Sequence, residues 1–160
     1  MSTFPAGALL LGALLALPAV AGAAVPQARL VWKRKLPAAT SSSPVYLASG
    51  ELVLGARDGK LHALDPATGA ARWSVALKAP GAARAAAVDG TPVVAPSGLL
   101  LVGSDDGALY GVRKGKVVLR VQLPDVVRAT PVVAPDGTIY VGCRDDKLYA
   151  LTPTGKINAF

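Results

Sequence analysis

Gly55-Ala56-Arg57-Asp58-Gly59-Lys60-Leu61-His62-Ala63-Leu64 is the stretch on which the fold turns. It aligns without gaps on Gly103-Ser104-Asp105-Asp106-Gly107-Ala108-Leu109-Tyr110-Gly111-Val112. Both align on Gly142-Cys143-Arg144-Asp145-Asp146-Lys147-Leu148-Tyr149-Ala150-Leu151, at offsets of 48 and 39. An upstream landmark keeps the same offsets: Ser43-Pro44-Val45, Thr91-Pro92-Val93 and Thr130-Pro131-Val132. Two landmarks moving together mark an internal repeat, and a period of this size marks a stacked array.

Each repeat reads as four short strands. The Pro-Val segment is the first. The second is Leu52-Val53-Leu54, with counterparts at Leu99 to Val102 and Ile139 to Val141. Asp58-Gly59 and Asp106-Gly107 are hairpin pairs, because glycine tolerates positive φ. The third strand alternates, as in Lys60 to Leu64, and a turn follows at Gly69, Gly115 and Gly155. Trp73 to Leu77 and Leu119 to Leu123 are fourth strands. Period-two alternation with frequent turn residues is the all-β pattern. Four strands per repeat of this length make a propeller blade.

The segment Ala63-Leu64-Asp65-Pro66-Ala67-Thr68-Gly69-Ala70-Ala71-Arg72-Trp73 resembles the tryptophan-docking motif of the quinoprotein (PQQ-type) β-propeller repeats. Ala63, Asp65, Gly69 and Trp73 fill its fixed positions. The resemblance covers residues 30–160. It implies that the Trp ring bridges neighbouring blades and that the Asp pins the turn before the glycine. Later copies decay: Arg113 and Thr152 stand at the Asp position, Leu119 and Ala159-Phe160 at the Trp position. BamB-like scaffold proteins are the non-enzymatic relatives that the repeat resembles.

The expected fold is thus a partial β-propeller of about three four-stranded antiparallel blades. Trp32 to Leu36 aligns with Trp73 to Leu77, so an orphan fourth strand is expected over 30–36. Blade 1 spans about 40–78, blade 2 about 90–124, and an incomplete blade 3 about 129–160. Propellers typically have 4 to 8 blades. A truncated propeller, closure by self-association and an open arc all remain open readings.

The chain has 160 residues, 17 Lys+Arg against 10 Asp+Glu, a net charge of +7 and one Cys. One Cys excludes an internal disulfide framework. Residues 1–24 carry no Asp, Glu, Lys or Arg. Leu9 to Val20 is an apolar run too short for a comfortable membrane span. Small-x-small patterns follow at Ala19-Val20-Ala21 and Ala21-Gly22-Ala23. This reads as a signal peptide over 1–23, cleaved after Ala23 or, as the second choice, after Ala21. The mature chain, residues 24–160, is then periplasmic or secreted; an uncleaved anchor on an extracellular sensor is the alternative.

No catalytic set is assembled by these residues. His62 occupies the column of Tyr110 and Tyr149, so an aromatic packing role is expected. Cys143 shares its column with Ala56 and Ser104 and is expected to be a small buried thiol. Asp105-Asp106 and Asp145-Asp146 fall at hairpin turns, where Asp bonds locally. The quinoprotein dehydrogenases resemble the chain only in the repeat; they carry a full ring of blades, a calcium site, a catalytic Asp and often a pair of adjacent cysteines, and this sequence has one Cys. Glu51 and Asn158 are the sole residues of their types, and a calcium site wants several converging oxygens. The expectation is no enzyme, no cofactor and no metal, with a fragment of a quinone-dependent propeller as the alternative. Arg29 with Lys33-Arg34-Lys35, and Arg113-Lys114-Lys116, read as solvated charge or as peripheral contact with an anionic surface. They lack the interleaved aromatics of a nucleic-acid binder. A protein partner or self-association is expected to complete the propeller, and Gly55, Gly103 and Gly142 are the repeat-turn glycines.

Overall fold

In the computed structural model, residues 29–157 are described. The leader 1–23 with Ala21 and Ala23, and the terminal Asn158 to Phe160, lie outside the described residues. Alternating, β-branched-rich segments bounded by Gly and Asp fold as eleven strands in three antiparallel sheets. The first sheet is β1 (Val45–Tyr46), β2 (Leu52–Gly55), β3 (Lys60–Leu64) and β4 (Ala71–Ala76), in that order. The second is β5 (Val93–Val94), β6 (Leu100–Gly103), β7 (Ala108–Arg113) and β8 (Lys116–Gln122). The third has three strands: β9 (Val132–Val133), β10 (Ile139–Cys143) and β11 (Lys147–Leu151).

The aligned stretches match in their hydrogen bonds. Gly59 N–H donates to Ala56 O at 3.1 Å with φ of 76°, and Gly107 N–H donates to Ser104 O at 3.1 Å. In the third sheet Asp146 takes the left-handed position at φ 64°; Asp tolerates that region better than most residues. A β-bulge falls between Ala63 and Leu64, and again between Gly111 and Val112, 48 residues on.

Strand side chains point alternately to opposite faces. In the middle sheet this splits one apolar run between two neighbours. Leu100, Val102, Ala108 and Tyr110 pack with Val53, Leu61 and Ala63 of the first sheet. Leu99, Leu101 and Leu109 pack with Ile139, Val141 and Leu151 of the third. Each fully buried aliphatic contributes about 1.5–3 kcal/mol. The core is therefore two intersheet layers, and the middle sheet is covered on both faces.

The linkers between sheets run through this packing. Val88 N–H donates to Ala56 O while Ala87 O accepts from Asp105 N–H, at 3.1 and 2.9 Å. Val127 and Val126 repeat the pair with Ser104 O and Arg144 N–H. The glycines make room for the crossing. A Cβ on Gly55 would lie 2.6 Å from Val88, and one on Gly103 would lie 2.3 Å from the Val127 carbonyl oxygen. At Gly142 the nearest atom would be Ala129 Cβ at 3.4 Å.

Two expectations are corrected. Residues 30–36 form no strand. Among the described residues no third strand lies beside them to pair with, and side-chain docking holds the segment instead. Cys143 is half-buried rather than buried. Ala56 and Ser104 are covered by the linker that leads on to the next sheet, at Val88 and Val127, whereas Cys143 touches only the linker that precedes its own sheet, its Sγ donating to Asp125 O at 3.2 Å.

Gly103→Ala should therefore destabilise by about 2–3 kcal/mol through overpacking. Gly142→Ala should cost under about 1 kcal/mol. Urea midpoints of the two variants decide the matter; equal losses would contradict the crossing geometry.

Candidate functional site

Three structural devices repeat along the array, and a fourth feature breaks the repetition. The first device joins each sheet to the next. Ala63 pairs with Trp73 across β3 and β4. The Trp73 ring lies over Gly115 of the second sheet, where an added Cβ would be 3.5 Å away. Its Nε1–H donates to Glu51 Oε1 at 3.1 Å. Leu119 and Val121 sit over Gly155 in the same way, so a smaller residue keeps the contact where Trp is lost. Trp32 sits over Gly69 and donates to Pro66 O at 2.9 Å. It thus takes the docking position of a fourth strand without forming one.

The second device is the turn before the glycine. Asp65 Oδ1 accepts from Ala67 N–H, Thr68 N–H and Thr68 Oγ1, each at 3.0 Å. Its Oδ2 accepts from Arg72 at 2.6 Å. The Arg72 guanidinium, with the Thr68 donors, lowers the Asp65 pKa to about 2. In the second sheet the Asp is gone and the turn is shorter. Lys114 and Gly115 both have positive φ, 49° and 69°, which is the two-residue type I′ geometry. In the third, Thr152 Oγ1 accepts from Lys156 N–H at 3.1 Å.

The third device links an Asp to the aromatic four residues on. Tyr110 OH donates to Asp106 Oδ2 and Tyr149 OH to Asp145 Oδ2, both at 2.6 Å. His62 Nε2 lies 3.1 Å from Asp58 Oδ2. Arg120 completes the middle copy: its Nε donates to Tyr110 OH at 3.1 Å and its Nη2 to Asp106 at 3.3 Å. Burial and the Asp106 carboxylate push the Tyr110 hydroxyl up to about 12. These groups are committed to structure. Asp105 diverges from Asp106 and takes two bonds from Arg128, at 2.8 and 2.6 Å. Arg57 reaches Asp89 at 3.1 Å, continuing a line of alternating charge across the sheets.

The fourth feature is the far face of the third sheet. Leu148 aligns with Leu61 and Leu109, both wholly buried, yet it is 72% exposed. Tyr140 aligns with the buried Val53 and Leu101 and is 40% exposed. Val132, in the column of Val45 and Val93, is 62% exposed. The next-sheet face is fully formed here and uncovered among the described residues. The outer edge of β11 carries a single bridge, Leu151 to Ile157.

Sequence reasoning missed the Asp-aromatic bonds and Arg120. The signal was available as Asp at i and His or Tyr at i+4 in all three copies. The basic clusters do not come together. Arg34 and Lys35 line a shallow recess with Pro37 to Thr40. Arg113 and Lys114 line a separate one with Trp73 and Glu51. No group of metal-binding side chains is found among the described residues.

A family profile described as outer membrane protein assembly factor BamB matches residues 19–95. No curated protein matches the sequence. Among solved structures, BamB from Moraxella catarrhalis is 27% identical with a TM-score of 0.57, covering 74% of this chain and 35% of that one. The chain thus spans about a third of that protein's length. The WD40 β-propeller domain of Doa1 is 17% identical with a TM-score of 0.58, covering 68% of this chain and 35% of that one. The computationally designed Ika4 protein is 15% identical with a TM-score of 0.64, covering 84% and 79%. The last two show the fold alone.

Two outcomes are expected from this geometry. Trp73→Ala should cost about 3–5 kcal/mol, typical of removing a large packed aromatic; a loss under about 1 kcal/mol in chemical denaturation would refute docking onto Gly115. Asp65 has a folded pKa below its unfolded value, so its contribution is present above about pH 4 and is lost as pH falls toward 2. Asp65→Asn should flatten that part of the stability profile, measured as urea midpoints from pH 5 to pH 2, and an unchanged slope would contradict it.

Proposed function

We propose that this chain, whose repeats belong to the PQQ-type β-propeller family, is an exported, non-enzymatic interaction module of the cell envelope. Its role resembles that of the outer-membrane protein assembly factor whose profile it matches. The observation that carries the reading is the uncovered third sheet. Leu148, Tyr140 and Val132 repeat columns that elsewhere bury against a neighbour. A contiguous apolar face of that kind is a protein-interaction surface, open to a protein partner or to self-association.

Two further features support it. The carboxylates and phenols at the turns are engaged with one another, as Asp106, Tyr110 and Arg120 illustrate. The apolar leader with its small-residue cleavage pattern supports export to the periplasm or beyond. The exported form then begins at Ala24, and its basic clusters contribute peripheral contact with anionic surfaces rather than with nucleic acid.

The test is genetic. Deleting the gene in its host should lower the amounts of outer-membrane proteins in quantitative envelope proteomics. The full chain should restore them, and a chain lacking residues 1–23 should not. Unchanged outer-membrane proteins would overturn the assembly role, and rescue by the leaderless chain would overturn export.

A further inference from the structure

Between the first two sheets, among the turns that join β1 to β2, β5 to β6 and β7 to β8, lies a recess of about 590 Å³. That volume is within the usual range of ligand pockets. Leu47, Val94 and Trp73 supply its apolar lining, and Glu51, Arg113 and Lys114 supply its charge. All of its lining residues belong to the first two sheets and their turns, so the recess does not depend on how the array continues at either end. The Trp73 indole is fixed there, with its ring over Gly115 and its Nε1–H on Glu51 Oε1. Glu51 Oε2 accepts from the Ser49 hydroxyl, so both oxygens of that carboxylate are bonded.

The two cations are not committed in this way. Arg113 stands in the column of Asp65, whose carboxylate pins its turn. The two-residue turn at Lys114 and Gly115 needs no such pin. Arg113 Nη2 donates to Ser97 O at 3.3 Å. Neither Arg113 nor Lys114 has a carboxylate within ion-pair range among the described residues. The matching recess between the second and third sheets is smaller, about 260 Å³, and no cation lines it. Its charged residue is Asp136, which accepts from Thr138 N–H and Oγ1, both at 2.9 Å. A recess at this place is thus a property of the fold, while the paired cations and the indole are particular to the first junction.

We propose that the recess between the first two sheets binds a peptide segment of a protein partner in which one Asp or Glu stands beside an aromatic residue. Two cations and one carboxylate leave the lining one positive charge in excess, which complements a single carboxylate. Arg113 receives that carboxylate with Lys114 beside it, because a guanidinium fork suits carboxylate geometry. The neighbouring aromatic ring packs on Trp73, Leu47 and Val94, and aromatic pairs gain beyond their buried area. Glu51 opposes a second negative charge, so a phosphate dianion is the poorer match. The recess is bounded by turns rather than closed over, so a ligand can enter as part of a longer chain. This goes beyond the interaction-module reading, whose surface is the far face of the third sheet. The two fail separately, since peptide binding and outer-membrane protein content are separate readouts.

The experiment titrates the blocked peptide acetyl-Gly-Ser-Glu-Phe-Ser-Gly-amide into the isotope-labelled exported chain and follows the indole N–H signals by NMR. The expected result is a saturable shift of the Trp73 signal with the Trp32 signal unmoved, since Trp32 bonds to Pro66 O away from the recess. Replacing the peptide's Glu by Gln, or its Phe by Ser, should each weaken binding at least about tenfold, the scale of one charge-assisted contact. Arg113→Gln with Lys114→Asn should do the same, and Asn accepts the positive φ of that turn. Lys116→Gln, on the same hairpin but outside the recess, should leave binding unchanged. An unmoved Trp73 signal, an equal shift from sodium acetate or inorganic phosphate at the same concentration, equal binding of the Gln peptide, or a loss with Lys116→Gln as large as with the double variant would each overturn the proposal.

Discussion

Every sheet in this chain has two apolar faces, and each face must be covered by something. That constraint organises the rest. The middle sheet satisfies it: β6 is buried throughout, with Leu101 turned to one neighbour and Leu100 and Val102 to the other. The close approach this requires is steric as much as hydrophobic. Gly55 and Gly103 carry no Cβ where a linker carbonyl or Val side chain passes. The linkers then satisfy backbone groups on both sheets at once, as buried N–H and C=O groups require.

Apolar burial outweighs charge at these junctions. The line of charges from Arg57 through Asp89 and Arg128 to Asp105 is exposed on its arginine side. Such pairs contribute about 0–1 kcal/mol each. The fully buried Val and Leu side chains at the two junctions contribute about 1.5–3 kcal/mol apiece, and there are many more of them. The charge line adjusts the junctions that the apolar layers create. Asp106, Tyr110 and Arg120 differ from it, because Tyr110 is wholly buried and its hydroxyl must be bonded.

The blades were legible in the sequence because each column repeats its chemistry. Gly, Asp and the alternating third strand recur at fixed offsets, and local turn chemistry fixes each hairpin. What was not legible depended on neighbours. Residues 30–36 have the sequence of a fourth strand, but a strand exists only beside another strand, and the segment makes its docking contact alone. Cys143 has the column of a buried small residue, but burial there comes from a linker that belongs to the next sheet. The roles of Asp58, Asp106 and Asp145 were visible as turn residues. Their bonds to His62, Tyr110 and Tyr149 needed the recognition that i and i+4 meet across a hairpin turn.

The third sheet also departs from the others in residue type, and the departure has a physical sense. Val53 and Leu101 are aliphatic where they are permanently buried. In the same column the uncovered sheet carries Tyr140, about half in solvent. A tyrosine can bury its ring against a partner while its hydroxyl stays hydrated, and it is enriched at interfaces. The docking column changes in parallel: Trp32 and Trp73 give way to Leu119, and the Asp-pinned turn gives way to the compact one at Lys114 and Gly115. An interior junction held by two linker bonds and a continuous apolar layer tolerates the smaller residue. On the third sheet, whose far face is uncovered among the described residues, Tyr140 is suited to being both wet and buried.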